Sequence, residues 1–98
     1  MHGKTYDVLS TQQVTSTGTA NLQSLAIPTG ARALLISVET TDARMTFDGS
    51  TPGTTNGHVI KAGVNPFVIE LGGAAIAPVV QFKSTAGANS IVDVTYLG

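Results

Sequence analysis

The chain has 98 residues, no cysteine, five Lys plus Arg against six Asp plus Glu, and a formal net charge of -1. That length supports one domain with a compact core and a thin stability margin, and the absence of cysteine rules out a disulfide framework or a thiolate metal site. Charged residues are 11 % of the chain, against roughly 25 % in ordinary soluble domains. Ser, Thr, Asn, Gln and Gly must therefore cover the surface, and a near-neutral surface favours association between copies.

Thr5 to Thr15 is rich in β-branched and aromatic residues and reads as an extended strand, with residues 1–9 as a candidate N-terminal arm. Asn21 to Ile27 fits either a helical face (Leu22, Leu25, Ala26) or a short strand (Leu25, Ile27). The strand is preferred because Pro28-Thr29-Gly30 turns directly into the next element. Arg32 to Thr40 is the clearest strand, with Leu34, Ile36 and Val38 on one face. Thr41-Asp42 is expected to make a hairpin to a strand over Arg44 to Asp48, with Met45 and Phe47 inward and Glu39 facing Arg44 as an exposed ion pair. Asp48-Gly49 closes that strand, and Ser50 to Gly57, with Pro52-Gly53 and Asn56-Gly57, is expected to be the longest exposed loop. Short strands follow at His58 to Lys61, Phe67 to Leu71 and Val80 to Lys83. Turns at Ala62 to Pro66 and Ala86 to Asn89 and the small-residue stretch Gly72 to Pro78 separate them. The last strand is Ser90 to Leu97, with Val92, Val94 and Tyr96 inward.

Seven or eight short strands punctuated by turns every 8 to 12 residues, without a persuasive helix, predict an all-β fold. The expected architecture is a single-domain antiparallel β-sandwich over residues 1–98, jelly-roll-like.

Catalytic chemistry has little support in these residues. The only histidines are His2 and His58, and His58 follows a flexible Asn-Gly turn, where a solvated loop histidine is the ordinary outcome. Two histidines without cysteine do not make the usual zinc sets. Asp42 and Asp48 occupy turn positions that Asp favours for local backbone hydrogen bonds, and the spacing of a calcium loop is missing. Neither phosphate-cradling glycine pattern occurs, so no cofactor is expected. Cations scattered singly at Lys4, Arg32, Arg44, Lys61 and Lys83 form no phosphate-neutralising stripe, which argues against nucleic acid as a partner. No apolar run reaches the ~20 residues that span a bilayer, and the start MHGKTYD lacks the layout of a secretory signal, so no membrane association is expected.

The succession Ile27-Pro28, Gly30-Ala31-Arg32-Ala33, Val38-Glu39-Thr40, Arg44, Phe47-Asp48-Gly49, Pro52, Thr54, Gly57 and Ala62-Gly63, with the final Val92, Val94 and Tyr96, resembles small structural proteins of tailed bacteriophages and prophages. The resemblance runs from about Leu25 to the C-terminus and rests on strand and turn residues. It implies a virion component, first of all a capsid decoration or cement protein. Such a protein is made in the host bacterial cytoplasm and binds the major capsid protein on the outer head surface as a homo-oligomer, a trimer by analogy. A head-to-tail joining or tail protein is the alternative within that class, and a glycan-binding sandwich the alternative outside it. The contact residues expected are Tyr6 on the arm, Ser50, Thr51, Pro52, Thr54, Thr55, Asn56 and His58 on and beside the loop, and Arg44 and Lys61 as polar anchors.

Overall fold

A computed structural model describes residues 6–53, 55–71 and 79–98. Eight strands run in the order β1 (Val8–Ser16), β2 (Gln23–Ser24), β3 (Ala33–Glu39), β4 (Ala43–Thr46), β5 (His58–Ile60), β6 (Phe67–Glu70), β7 (Gln81–Ser84) and β8 (Ser90–Leu97). They form two four-stranded sheets, β1-β8-β3-β6 and β2-β7-β4-β5. The antiparallel pairs β1 with β8, β2 with β7, β3 with β6 and β4 with β5 fold the second half of the chain back along the first. Successive pairs alternate between the two sheets. This is the winding of a jelly roll, a double-sheet β-sandwich of eight strands. The helical alternative for Asn21 to Ile27 is not what forms: Gln23–Ser24 pairs with β7, and the Leu25 amide donates to the Val80 carbonyl.

Alternation supplies the core. Leu34, Ile36 and Val38 of β3 and Val92, Val94 and Tyr96 of β8 face Ala43 and Met45 of β4 and Val80 and Phe82 of the β7 region, all nearly or wholly excluded from solvent. Phe67, Ile69 and Phe47 pack against this cluster half-buried. Burying one such large side chain stabilises by about 1.5 to 3 kcal/mol, so these few residues carry most of the cohesion of so short a chain. Two polar groups at the margins of the core are well bonded: the Tyr96 hydroxyl donates to Gln12 Oε1, and the buried Ser16 Oγ accepts from the Ser84 amide at 2.9 Å while donating to the Asn21 carbonyl at 2.6 Å, whereas Ser90 Oγ and Gln81 Oε1 are buried without a partner among the described residues. Through Ser16 the edge of one sheet is fastened to a strand of the other.

One expectation fails in an informative way. The segments on either side of Thr41-Asp42 are not a hairpin, because β3 pairs with β6 and β8 while β4 pairs with β5 and β7. The chain crosses from sheet to sheet there, through Thr40 at φ 68° and a bond from the Thr41 amide to the Glu39 carbonyl. Both arrangements turn the apolar sets of the two strands toward one core, so alternation does not distinguish them. The predicted Glu39–Arg44 pair consequently does not form. The side chain of Glu39 meets Asp93, and Arg44 Nη1 donates to the Gly57 carbonyl at 3.2 Å.

Candidate functional site

The connection from β4 to β5 is a built structure. Asp48 Oδ1 accepts the amide of Ser50 at 3.0 Å and also its hydroxyl, the local turn chemistry that Asp is suited to. Both bonds favour the charged form and hold the Asp48 carboxyl below the usual range. Asn56 Nδ2 donates to Ser50 Oγ at 3.2 Å and to the Thr51 carbonyl at 2.9 Å, while the Gly53 amide donates to the Asn56 carbonyl at 3.0 Å. Thr46 Oγ1 donates to the Ser50 carbonyl, tying the loop to the end of β4. At the far side Gly57, at φ 102°, lies so close to β4 that an added Cβ would stand 2.9 Å from the Met45 carbonyl oxygen. Only glycine fits both that conformation and that approach.

The expected excursion is therefore partly a cover over the second sheet. Thr46, whose place in β4 turns it away from the core, is 4 % exposed, and Pro52 is fully buried, an anchor of the loop where a surface contact had been expected. Thr51, Thr55 and Asn56 are exposed, Ser50 is half-buried, and Thr54 falls outside the described residues.

Between loop and strand lies an open hollow of about 330 Å³, lined by Thr46, Phe47, Asp48, Ser50, Asn56, Gly57 and His58. The rings of Phe47 and His58 stand 6.3 Å apart, tilted at 43°. A serine nucleophile would need its hydroxyl aimed at an imidazole acting as base. Ser50 Oγ donates to Asp48 instead, in a relay running from Asn56 through Ser50 to Asp48. What the hollow presents is a fixed set of hydrogen-bonding groups beside two rings.

The remaining expected contact residues lie elsewhere. Lys61 reaches Asp42 at 3.3 Å, and Asp42 Oδ1 also accepts the Ala62 amide at 2.8 Å. That amide first, and Lys61 with it, depress the Asp42 carboxyl. Asp42 thus ties the β3–β4 crossing to the β5–β6 connection, while the Lys61 side chain stays 71 % exposed. Tyr6 sits at the opposite sheet: its hydroxyl donates to Glu70 on β6, and the Arg32 guanidinium stands 5.5 Å from its ring centre. Residues 7–9 of the candidate arm lie along β8, with Asp7 and Gly98 exchanging both backbone bonds and Val8 opposite Leu97. Residues 1–5 fall outside the described part, as does the stretch from Gly72 to Pro78.

Arg44 belongs to a feature that the sequence reading missed. On the outer face of the second sheet it stands directly opposite Lys83 of β7. The two cations line a depression of about 170 Å³ together with Thr19, Gly53, Ser84 and Thr85. On the outer face of the first sheet two acids stand together, Glu39 and Asp93, with Gln13 Nε2 donating to Asp93 Oδ1 at 2.8 Å. The hydrogen bond with Asp93, and then its like charge, push the Glu39 carboxyl above the usual range. Periodicity places each of these residues outward, but only the strand order β7-β4 and β8-β3 makes pairs of them.

Compared with known proteins, the chain matches no family model, no curated protein and no solved structure.

Proposed function

We propose that this protein is a structural component of a tailed-bacteriophage virion, a decoration protein that binds the major capsid protein on the head surface and reinforces the shell. The observation that carries the reading is the outer face of the β1-β8-β3-β6 sheet. Cross-strand bonds fix its polar side chains in rows, Thr11 with Thr95 at 3.1 Å and Gln13 with Asp93. Beside them Val8, Leu9 and Val68 are 69 %, 42 % and 50 % exposed. A pre-ordered surface of short polar groups and exposed aliphatics loses little side-chain entropy on docking, and many such contacts repeated by capsid symmetry add up to firm attachment. The resemblance running from Leu25 to the C-terminus supports the same class of role.

Two measurements on purified virions test it. Quantitative mass spectrometry is expected to find hundreds of copies per particle; about a dozen would transfer the protein to the head-to-tail connector, and none would end the proposal. Particles lacking it are expected to release DNA at a lower temperature than complete ones, and equal release temperatures would remove the reinforcing role.

The hollow at Phe47 and His58 favours a second reading, a binding site for host-surface glycans, because rings flanked by fixed polar groups suit a sugar's apolar and hydroxylated faces. Chemical-shift changes confined to Phe47, Asn56 and His58 on titration with oligosaccharides would support it, and a silent titration would dismiss it.

A further inference from the structure

Each outer face holds a like-charge pair that no opposite charge among the described residues compensates. Arg44 and Lys83 are direct cross-strand neighbours, an arrangement that costs stability in an antiparallel sheet. Arg44 is satisfied only in part, by a carbonyl, and among the described residues neither cation has a salt bridge to a carboxylate. Glu39 and Asp93 crowd each other on the opposite side of the sandwich, Asp93 being held in place by Gln13. The cations line a depression, whereas the acids, Glu39 exposed and Asp93 beside it, stand on the open outer face of the other sheet. Charge is complementary between the two faces of one chain, which a single copy cannot bring together because its own core separates them.

We infer that the Glu39 and Asp93 end of the β1-β8-β3-β6 face of one copy docks onto the β2-β7-β4-β5 face of a second copy, with these two acids meeting Arg44 and Lys83 at the depression of the other. Each pair then compensates the other, and the exposed Val59, directly opposite Arg44, supplies apolar contact beside the charges. The contact is heterologous, so copies joined this way close into a ring or continue as an open series. The inference goes beyond the virion reading and concerns the purified chain alone; it engages the Glu39 and Asp93 end of the face and leaves Val8, opposite Leu97 at the other end of β8, outside the contact.

Sedimentation velocity of the full chain tests it. Wild-type protein is expected to self-associate, and raising salt from about 50 mM to about 500 mM is expected to weaken that association at least about tenfold. Reversing one face (E39K with D93K) or the other (R44E with K83E) is expected to leave monomers. An equimolar mixture of the two reversed proteins is expected to associate, because acidic faces then meet basic ones, and the fourfold reversal is expected to regain self-association. Should a reversed protein fail to fold, Glu39→Gln and Lys83→Gln, which keep side-chain size, are each expected to weaken association by about tenfold. A wild-type chain that stays monomeric, association indifferent to both reversals, or reversed proteins that ignore each other would overturn the inference.

Discussion

The outer face of the first sheet is bare, its side chains standing in cross-strand rows with Val8 and Val68 open to solvent. The outer face of the second is roofed at one end by the Asp48–Gly57 connection, which leaves Thr46 only 4 % exposed and Pro52 fully buried. Inwardly the two sheets are alike: both turn every second residue into one shared core. What differs is set by residues with no periodicity at all, an Asp-Gly turn, a buried proline and a glycine held against the backbone. The lesson is that alternation determines which side chains meet the core, whereas the covering of the opposite side depends on turn chemistry.

The largest expected effect breaks the roof. Gly57→Ala forces a Cβ to within 2.9 Å of the Met45 carbonyl at a φ of 102°, where neither the backbone oxygen nor the turn can give way. A loss of about 2 to 4 kcal/mol is expected in urea unfolding. Gly63→Ala has a similar φ of 77° but meets nothing within 4 Å, and is expected to cost only the conformational part, about 1 to 2 kcal/mol. Equal losses at the two positions would mean that the loop does not rest on β4.

A smaller effect separates the fastened edge of β1 from its open face. Ser16→Ala removes the acceptor of the buried Ser84 amide and the donor to the Asn21 carbonyl, and is expected to cost about 1 to 3 kcal/mol. Thr11→Ala, on the same strand, breaks a single exposed bond to Thr95 and is expected to fall within about 0.5 kcal/mol of wild type in the same assay. If Thr11→Ala matched Ser16→Ala, the bare face would be carrying more of the fold than its exposure implies.

How much of this is visible in the residues follows from the same contrast. Leu34, Ile36 and Val38, or Val92, Val94 and Tyr96, announce both strand and inward face, because a period of two has one structural meaning in a short run bounded by turns. The double-sheet architecture follows from how many such runs there are. The crossing at Thr41-Asp42 does not, since a hairpin and an inter-sheet turn demand the same alternation, and with it went the partners of Glu39 and Arg44. Pro52 was legible as a turn residue but not as a buried one: proline marks where the chain bends, and only tertiary contact decides what covers it. The paired charges are a further step removed, because Arg44 and Lys83 lie 39 positions apart and meet only through strand order. The candidate site was thus identified as a loop, while its docking on β4 and the polarity of the two faces required the fold.

The smallest effects, and opposite in sign, concern the acids of the two sides. Glu39 is raised above its usual 4.5 by Asp93, so the folded state favours its protonated form; that contribution is complete below the usual value and is lost as pH rises through the higher folded one. Asp48 is lowered below its usual 3.8 by Ser50, so its contribution is present above that value and disappears as pH falls through the lower folded one. Glu39→Gln, a fixed copy of the neutral acid, is therefore expected to be more stable than wild type at neutral pH and to lose that advantage as the solution is acidified. Asp48→Asn is expected to be less stable than wild type at neutral pH, with the deficit shrinking at low pH. Both residues are solvent-exposed, so the changes are small, and the test lies in each variant's urea midpoint minus that of wild type plotted against pH, which must rise with pH for Glu39→Gln and fall for Asp48→Asn. Parallel slopes would show that Glu39 and Asp93 do not crowd each other, and would take away the electrostatic asymmetry that sets one face of the sandwich against the other.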